Sequence, residues 1–309
     1  MRHAQFLIII FLSPLIQGVI KKLKARMQGR VGPGVLQPYY DLIRLMRKDM
    51  VVSEVASWVF KAAPYVVFAS AVCASMLVPV LTTKSSLVFM GDVIAIIYLF
   101  ALGRFFMALG GLDAGTAFGG EGSSREMTVA ILVEPILMLS IFTAAISAGS
   151  TNIARIAESG ATLYSPSHIL ALSAFVVAII AETGRVPVDN PDTHLELTMI
   201  HEGMLLEYSG RYLALMEWGH YIKQMLLFTI AADIFFPAGI GGSTPSGYGG
   251  SAFGISLAAY GGKMLFMAGL MALVESTRAK LRFFQLPSLL GGAFVLAALS
   301  LLTYIMLGR

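Results

Sequence analysis

Eight long apolar runs dominate this sequence, at about 4–20, 60–82, 86–111, 127–149, 166–183, 213–237, 254–275 and 285–307. Each approaches the ~20 residues that a helix needs to cross the hydrocarbon core of a bilayer. Lipid offers no hydrogen bonds to the backbone, so only helices and closed barrels can span it. The runs are continuous instead of alternating every second residue, which disfavours a barrel. Composition agrees: 57% of the 309 residues are hydrophobic and 13% are charged, against roughly 25% charged in soluble domains. The expected fold is an all-α membrane protein of about eight transmembrane helices, forming a single polytopic domain over 1–309. The first run has no small-x-small cleavage site and its basic cluster follows the run, so it reads as a retained helix.

Charge orients the spans. Lys21, Lys22, Lys24, Arg26, Arg30, Arg44, Arg47 and Lys48 fall in the first loop, and Arg125, Arg185, Arg211, Arg278, Lys280 and Arg282 in the third, fifth and seventh. The opposite side carries only Arg2, Lys84, Arg155 and Arg309. The positive-inside rule then places both termini outside and the odd loops in the cytoplasm of a prokaryotic inner membrane. Two of those loops are long, about 21–59 and 184–212, and form the expected docking face. Within the first, Leu42, Ile43, Leu45 and Met46 alternate with Asp41, Arg44, Arg47 and Lys48, the pattern of an amphipathic helix that lies on headgroups or receives a soluble partner. The formal charge of +4 belongs to such loops and does not point to nucleic acid. No CxxC, GxGxxG, Walker-type or HExxH pattern occurs, and the single cysteine, Cys73, lies in an apolar run. No metal, cofactor or catalytic centre is therefore expected in this chain.

The remaining charges are the informative ones. A charge at the centre of a membrane helix costs at least ~2.5–3.5 kcal/mol, yet Asp92, Arg104, Glu134, Glu217, Lys223, Asp233 and Lys263 all lie inside runs, with Glu126, Glu182 and Glu275 near run ends. Glu126 and Glu134 are eight residues apart, about 12 Å along one helix face, and Pro135 follows. Glu217, His220 and Gln224 share a helix face that Lys223 flanks. Six of the eighteen carboxylates crowd into 181–210: Glu182, Asp189, Asp192, Glu196, Glu202 and Glu207. There Asn190, Pro191 and Asp192 spell a helix start, so 184–190 reads as a turn and 191–208 as a helix with His194 and His201 on one face. Two histidines without a third ligand favour proton handling over a metal site. Glu182 and Arg185, one turn apart, read as an ion pair.

These motifs have a family resemblance. "AETGRVPVDNPDTHLEL" with "LEYSGRYLAL" resembles the signature loop of the H-type membrane subunit of respiratory complex I (subunit 1 in mitochondria), "GRVGPGVLQPYYDLIRLMRK" its first loop and "SSREMTVAILVEP" its fourth span. "LFALGRFFMALGGLDAGTAFGGEGSSREM" and "AGSTNI" resemble the hydrogenase branch, formate hydrogenlyase subunit 4 and its counterparts in group 4 membrane-bound [NiFe] hydrogenases. The resemblance implies a non-redox anchor of an energy-converting complex that couples electron transfer to proton or sodium movement. Its iron–sulfur clusters and [NiFe] centre would sit on partners: hydrogenase large and small subunits and a ferredoxin-like subunit, with antiporter-like subunits beside it in the membrane. It assigns ion-pathway roles to Glu126, Glu182, Arg185, Asp189, Asp192, Glu196 and Glu207, which Glu134, His201, Glu202, Glu217 and Lys223 would extend. His194 and His220 stand where the complex I pattern has glutamates, and the acidic loop is about three residues longer. Those departures weigh against a quinone ligand, which belongs to the alternative of a quinone-reducing complex I-type subunit, and leave an acid–imidazole path intact. A stand-alone secondary transporter is the rival from another class; it predicts inverted repeats, and none is visible.

Overall fold

A computed structural model describes residues 5–81, 91–159, 165–189, 199–237 and 250–307. Among these residues the chain is helical, with no strand beyond the isolated bridge Asp92–Asn152. Its elements are α1 (Gln5–Met27), α2 (Gln37–Arg47), α3 (Trp58–Leu77), α4 (Val93–Asp113), α5 (Ala117–Ala148), α6 (Ile153–Glu158), α7 (Pro166–Glu182), α8 (His201–Leu205), α9 (Gly210–Phe235), α10 (Gly250–Thr277) and α11 (Leu286–Leu307). A helix lies over each of the eight apolar runs. Six are long and apolar enough to cross a membrane: α1, α3, α4, α5, α10 and α11 with the turn before it. Of the other two runs, α7 has 17 residues, and α9 carries Arg211, Glu217, Lys223 and Asp233.

The ends of the helices follow local chemistry. The α1 helix runs to Met27 because Lys24 and Arg26 suit the negative end of its dipole. The side chain of Thr116 accepts a hydrogen bond from Gly119 N at 3.3 Å, so α5 begins ten residues before the expected position 127. Glu126 therefore lies well inside a helix instead of at its end. The expected helix over 191–208 also differs. Residues 190–198 lie outside the described residues, and the remainder holds only the five-residue α8 followed by a turn.

Packing makes α9 the axis of the bundle. It lies against α3, α1, α2, α6, α7 and α10, while α5 packs on α4, α7 and α11. From Gln224 to Phe235 every residue of α9 is buried, as expected of a helix surrounded by protein on all sides. The amphipathic α2 spends its apolar face on that axis: Leu42, Leu45 and Met46 pack on Ala214, Trp218 and Tyr221, leaving Tyr40 and Ile43 exposed. The loop before α2 presses on α1 at Gly18, where a Cβ would fall 1.9 Å from the Val35 carbonyl oxygen. Only glycine admits that approach, and it closes one side of a cavity described below.

Candidate functional site

The buried charges converge on one arginine. Arg104, from the middle of α4, donates through Nη1 to Glu134 Oε1 at 2.6 Å and through Nη2 to Glu182 Oε1. Its Nε lies 3.8 Å from Glu126 Oε1. Lys223 Nζ, from α9, reaches the same Glu182 oxygen at 2.7 Å. Four helices thus contribute three carboxylates and two cations, which leaves one negative charge in excess. The planar guanidinium explains the arrangement, because its fork can serve several carboxylates at once where an ammonium is a point charge. The eight-residue spacing of Glu126 and Glu134 does bring both to one partner. That partner, Arg104, has no role assigned from the sequence, although a lone arginine in an apolar run was the signal for it.

A second network lies at the loop end. Arg185 donates through Nη1 to Glu275 Oε1 at 3.1 Å and through Nη2 to Gln224 Oε1 at 2.8 Å and to Gln17. Lys24 Nζ approaches Glu275 Oε2 at 3.1 Å. The expected Glu182–Arg185 ion pair is absent: each residue is bound to other partners. The cause is the turn that ends α7. Gly184 adopts φ +54°, its N–H reaches the Ala181 carbonyl at 3.2 Å, and Arg185 N–H reaches Ile180 at 3.0 Å. This is a Schellman ending; it keeps Glu182 inside the bundle and sends Arg185 toward α1 and α10.

Asp189 is an organiser of the loop. Its Oδ2 accepts from the N–H groups of Ile200 and His201 at 3.1 and 3.0 Å, and its Oδ1 takes Lys280 Nζ at 3.1 Å. His201 is thereby set against His220 of α9, with ring centroids 4.6 Å apart. Glu202 and Glu217 stand nearby, whereas Glu207 is exposed and apart from both networks. Asp192, His194 and Glu196 lie outside the described residues. The neighbouring Tyr208 anchors the loop, stacked on Phe60 at 4.0 Å and donating to the Phe60 carbonyl at 3.2 Å.

The Arg185 network lines a cavity of about 710 Å³ between α1, α2, α8 and α9, whose walls include Lys21, Lys24, Arg30, Arg185, Glu202 and Glu217. A smaller space of about 30 Å³ lies deeper, against Arg104, Glu126 and Lys223. Burial, with Glu217 and Asp189 adding, pushes the Glu202 carboxyl up to about 8. Burial, with Lys223 adding, lowers His201 to about 4. Both shifts link folding to pH with opposite signs. The protonated Glu202 contributes stability that is full below its ordinary 4.5 and lost as pH rises through about 8. The neutral His201 contributes stability that is present above 6.5 and lost as pH falls through about 4. Of these two contributions only that of Glu202 changes between pH 6.5 and 8, so it should lower the thermal midpoint of the unsubstituted protein as pH rises over that window. Glu202→Gln should flatten that dependence; an unchanged slope would rule Glu202 out as its source.

Among the described residues no group of three or more His, Cys, Asp or Glu side chains could hold a metal ion. The chemistry available is movement of charge along closely spaced acids, imidazoles and bases.

Comparison with known proteins places this architecture. The family model described as NADH dehydrogenase matches residues 2–307. Formate hydrogenlyase subunit 4 of Escherichia coli K12 is 36% identical over 304 residues, covering 96% of this chain and 95% of the relative. Hydrogenase-4 component C of the same organism is 37% identical, with 96% and 93% covered. The H-type subunit of NADH-quinone oxidoreductase from Syntrophotalea carbinolica is 32% identical over 70% of this chain and 69% of the relative. A chain in the structure of the membrane-bound sulfane sulfur reductase, an archaeal respiratory membrane complex, shares the fold at a TM-score of 0.84 over 96% of both chains, with 19% identity. The chain belongs to the NADH dehydrogenase family of membrane subunits, alongside formate hydrogenlyase subunit 4, hydrogenase-4 component C and the H-type subunits of NADH-quinone oxidoreductase.

Proposed function

We propose that this chain is the anchoring and ion-coupling subunit of an energy-converting [NiFe] hydrogenase complex of the formate hydrogenlyase type. As one polytopic unit with both termini outside the cytoplasm, it offers loops 21–59 and 184–212 to a hydrophilic arm. The arm holds the iron–sulfur clusters and the [NiFe] centre, and antiporter-like subunits continue the ion route in a prokaryotic inner membrane. Electron transfer in the arm changes the charge felt by the loop acids, and the change passes inward to Lys223, Glu182, Arg104, Glu126 and Glu134. The observation that carries this reading is the five-membered ion cluster, with its one unbalanced carboxylate, whose Arg104 and Glu182 are buried and whose Arg104, Glu126 and Lys223 line the small inner space. In a site of low dielectric, a nearby charge strongly biases such a titration.

Hydrogenase coupling is supported over quinone reduction by the relatives: formate hydrogenlyase subunit 4 and hydrogenase-4 component C are 36% and 37% identical over 96% of this chain, against 32% over 70% for the H-type subunit of NADH-quinone oxidoreductase. The test uses Glu126, the cluster acid held least tightly, 3.8 Å from Arg104. In vesicles bearing the intact complex, Glu126→Gln is expected to reduce the charge moved per electron pair severalfold. An unchanged ratio would contradict the role. Quinone co-purifying in a one-to-one ratio would favour the quinone-reducing alternative.

A further inference from the structure

We propose that the His201–His220 pair is a proton-only junction, so that the ion admitted from the loop-side cavity to the Arg104 cluster is a proton and not sodium. This rests on the ion-coupling reading above and names the ion and its point of entry. His201 and His220 are the two residues common to the walls of the large cavity and of the small inner one. Their rings, 4.6 Å apart and inclined by 53°, stand between the two spaces. His220 Nδ1 is buried with no hydrogen-bond partner, so a ring nitrogen is free at the junction.

The inner space suits a proton and refuses an alkali cation. At about 30 Å³ it has room for about two waters, too few for a hydrated alkali cation. A cation that leaves its hydration shell needs several oxygen ligands in exchange. Here Arg104 and Lys223 line the space and take up carboxylate oxygens of Glu134 and Glu182, which leaves the Glu126 carboxylate and the Ser70 hydroxyl as its side-chain oxygens, fewer than a dehydrated sodium ion needs. A proton needs only alternate donors and acceptors. On the cavity side Glu202 or Glu217 gives up a proton to one ring nitrogen, and the other nitrogen releases its own proton toward the Glu126 or Glu182 carboxylate. The imidazole ends neutral, and one O–H bond is broken and one formed. Charges facing the pair are mixed: Lys223 and Arg185 oppose a lasting imidazolium, while Glu217, Asp189 and Glu182 favour one. The low His201 pKa fits a group that passes a proton without keeping it.

The test is chemical rescue in vesicles bearing the intact complex, read as initial charge movement per electron pair. In His220→Ala the lost ring opens onto the large cavity. The ratio should fall severalfold and return toward its original value in millimolar imidazole, compared with unsubstituted complex at the same imidazole concentration. His220→Gln fills the space without a relay and should lose the ratio without rescue. An undiminished ratio in His220→Gln, or recovery of His220→Ala by sodium instead of imidazole, would overturn the proposal. Should the alanine variant fail to assemble, the glutamine variant alone decides. Loss in Glu126→Gln with none in His220→Gln would sink this junction only; no loss in Glu126→Gln would sink the broader coupling reading.

Discussion

Replacing Arg104 with methionine is expected to lower the stability of the subunit by about 3–5 kcal/mol, the usual cost of stripping one partner from a buried ion cluster. The methionine matches the length of the arginine stem, so packing against α5 is largely kept and the loss is electrostatic. Glu126, Glu134 and Glu182 would then face each other with Lys223 as their only cation. Arg104→Lys keeps the charge but not the fork that serves Glu134 and Glu182 together, and should recover part of the loss. Adding Glu182→Gln to the methionine variant removes one stranded carboxylate, so the double variant should be more stable than the two single losses summed. Thermal unfolding of the purified complex, or the yield of assembled subunit, reads these differences. Full stability in Arg104→Met would mean that the cluster carries no net interaction.

Helices were the most legible part of the structure, because the length of an apolar run is a local property. The run at 86–111 contains most of α4, that at 285–307 coincides with α11 to within one residue, and α10 extends the run at 254–275 by four residues at its start and two at its end. Errors gathered where a cap outranked hydropathy. Thr116 starts α5 in a glycine-rich stretch that hydropathy alone would leave as a loop. The loop after α7 was legible in part, and the helix start expected at 190–192 lies outside the described residues. Asn190, Pro191 and Asp192 have the chemistry of a helix start, but the described part of that segment, from Met199, is organised by Asp189, a long-range acceptor whose partners are Ile200, His201 and Lys280.

The candidate site was legible in its members and not in its pairings. Each charge in an apolar run signals a wet or paired interior by its cost alone, and that logic found Glu126, Glu134, Glu182, Glu217 and Lys223. Partnership depends on tertiary packing. Glu182 and Arg185 are neighbours in sequence, but the Schellman turn at Gly184 separates them, and their partners are 78, 41, 90 and 39 positions away, at Arg104, Lys223, Glu275 and Gln224. His201 offered a helical spacing to His194, yet its ring meets His220 from α9. Lys24 and Lys280 read as loop charges that orient the chain, and both reach buried carboxylates.

Glu182 joins the signature loop directly to the buried cluster. It is buried, it ends α7 at that loop, and its Oε1 is shared by Arg104 and Lys223. Glutamine at this position keeps an oxygen for one donor but can neither carry the negative charge nor take up a proton. The most direct test of the coupling claim is therefore the membrane potential formed per electron pair by Glu182→Gln complexes in sealed vesicles. Coupling through this residue predicts a severalfold fall. An assembled Glu182→Gln complex that builds the same potential per electron pair as the unsubstituted one would contradict it.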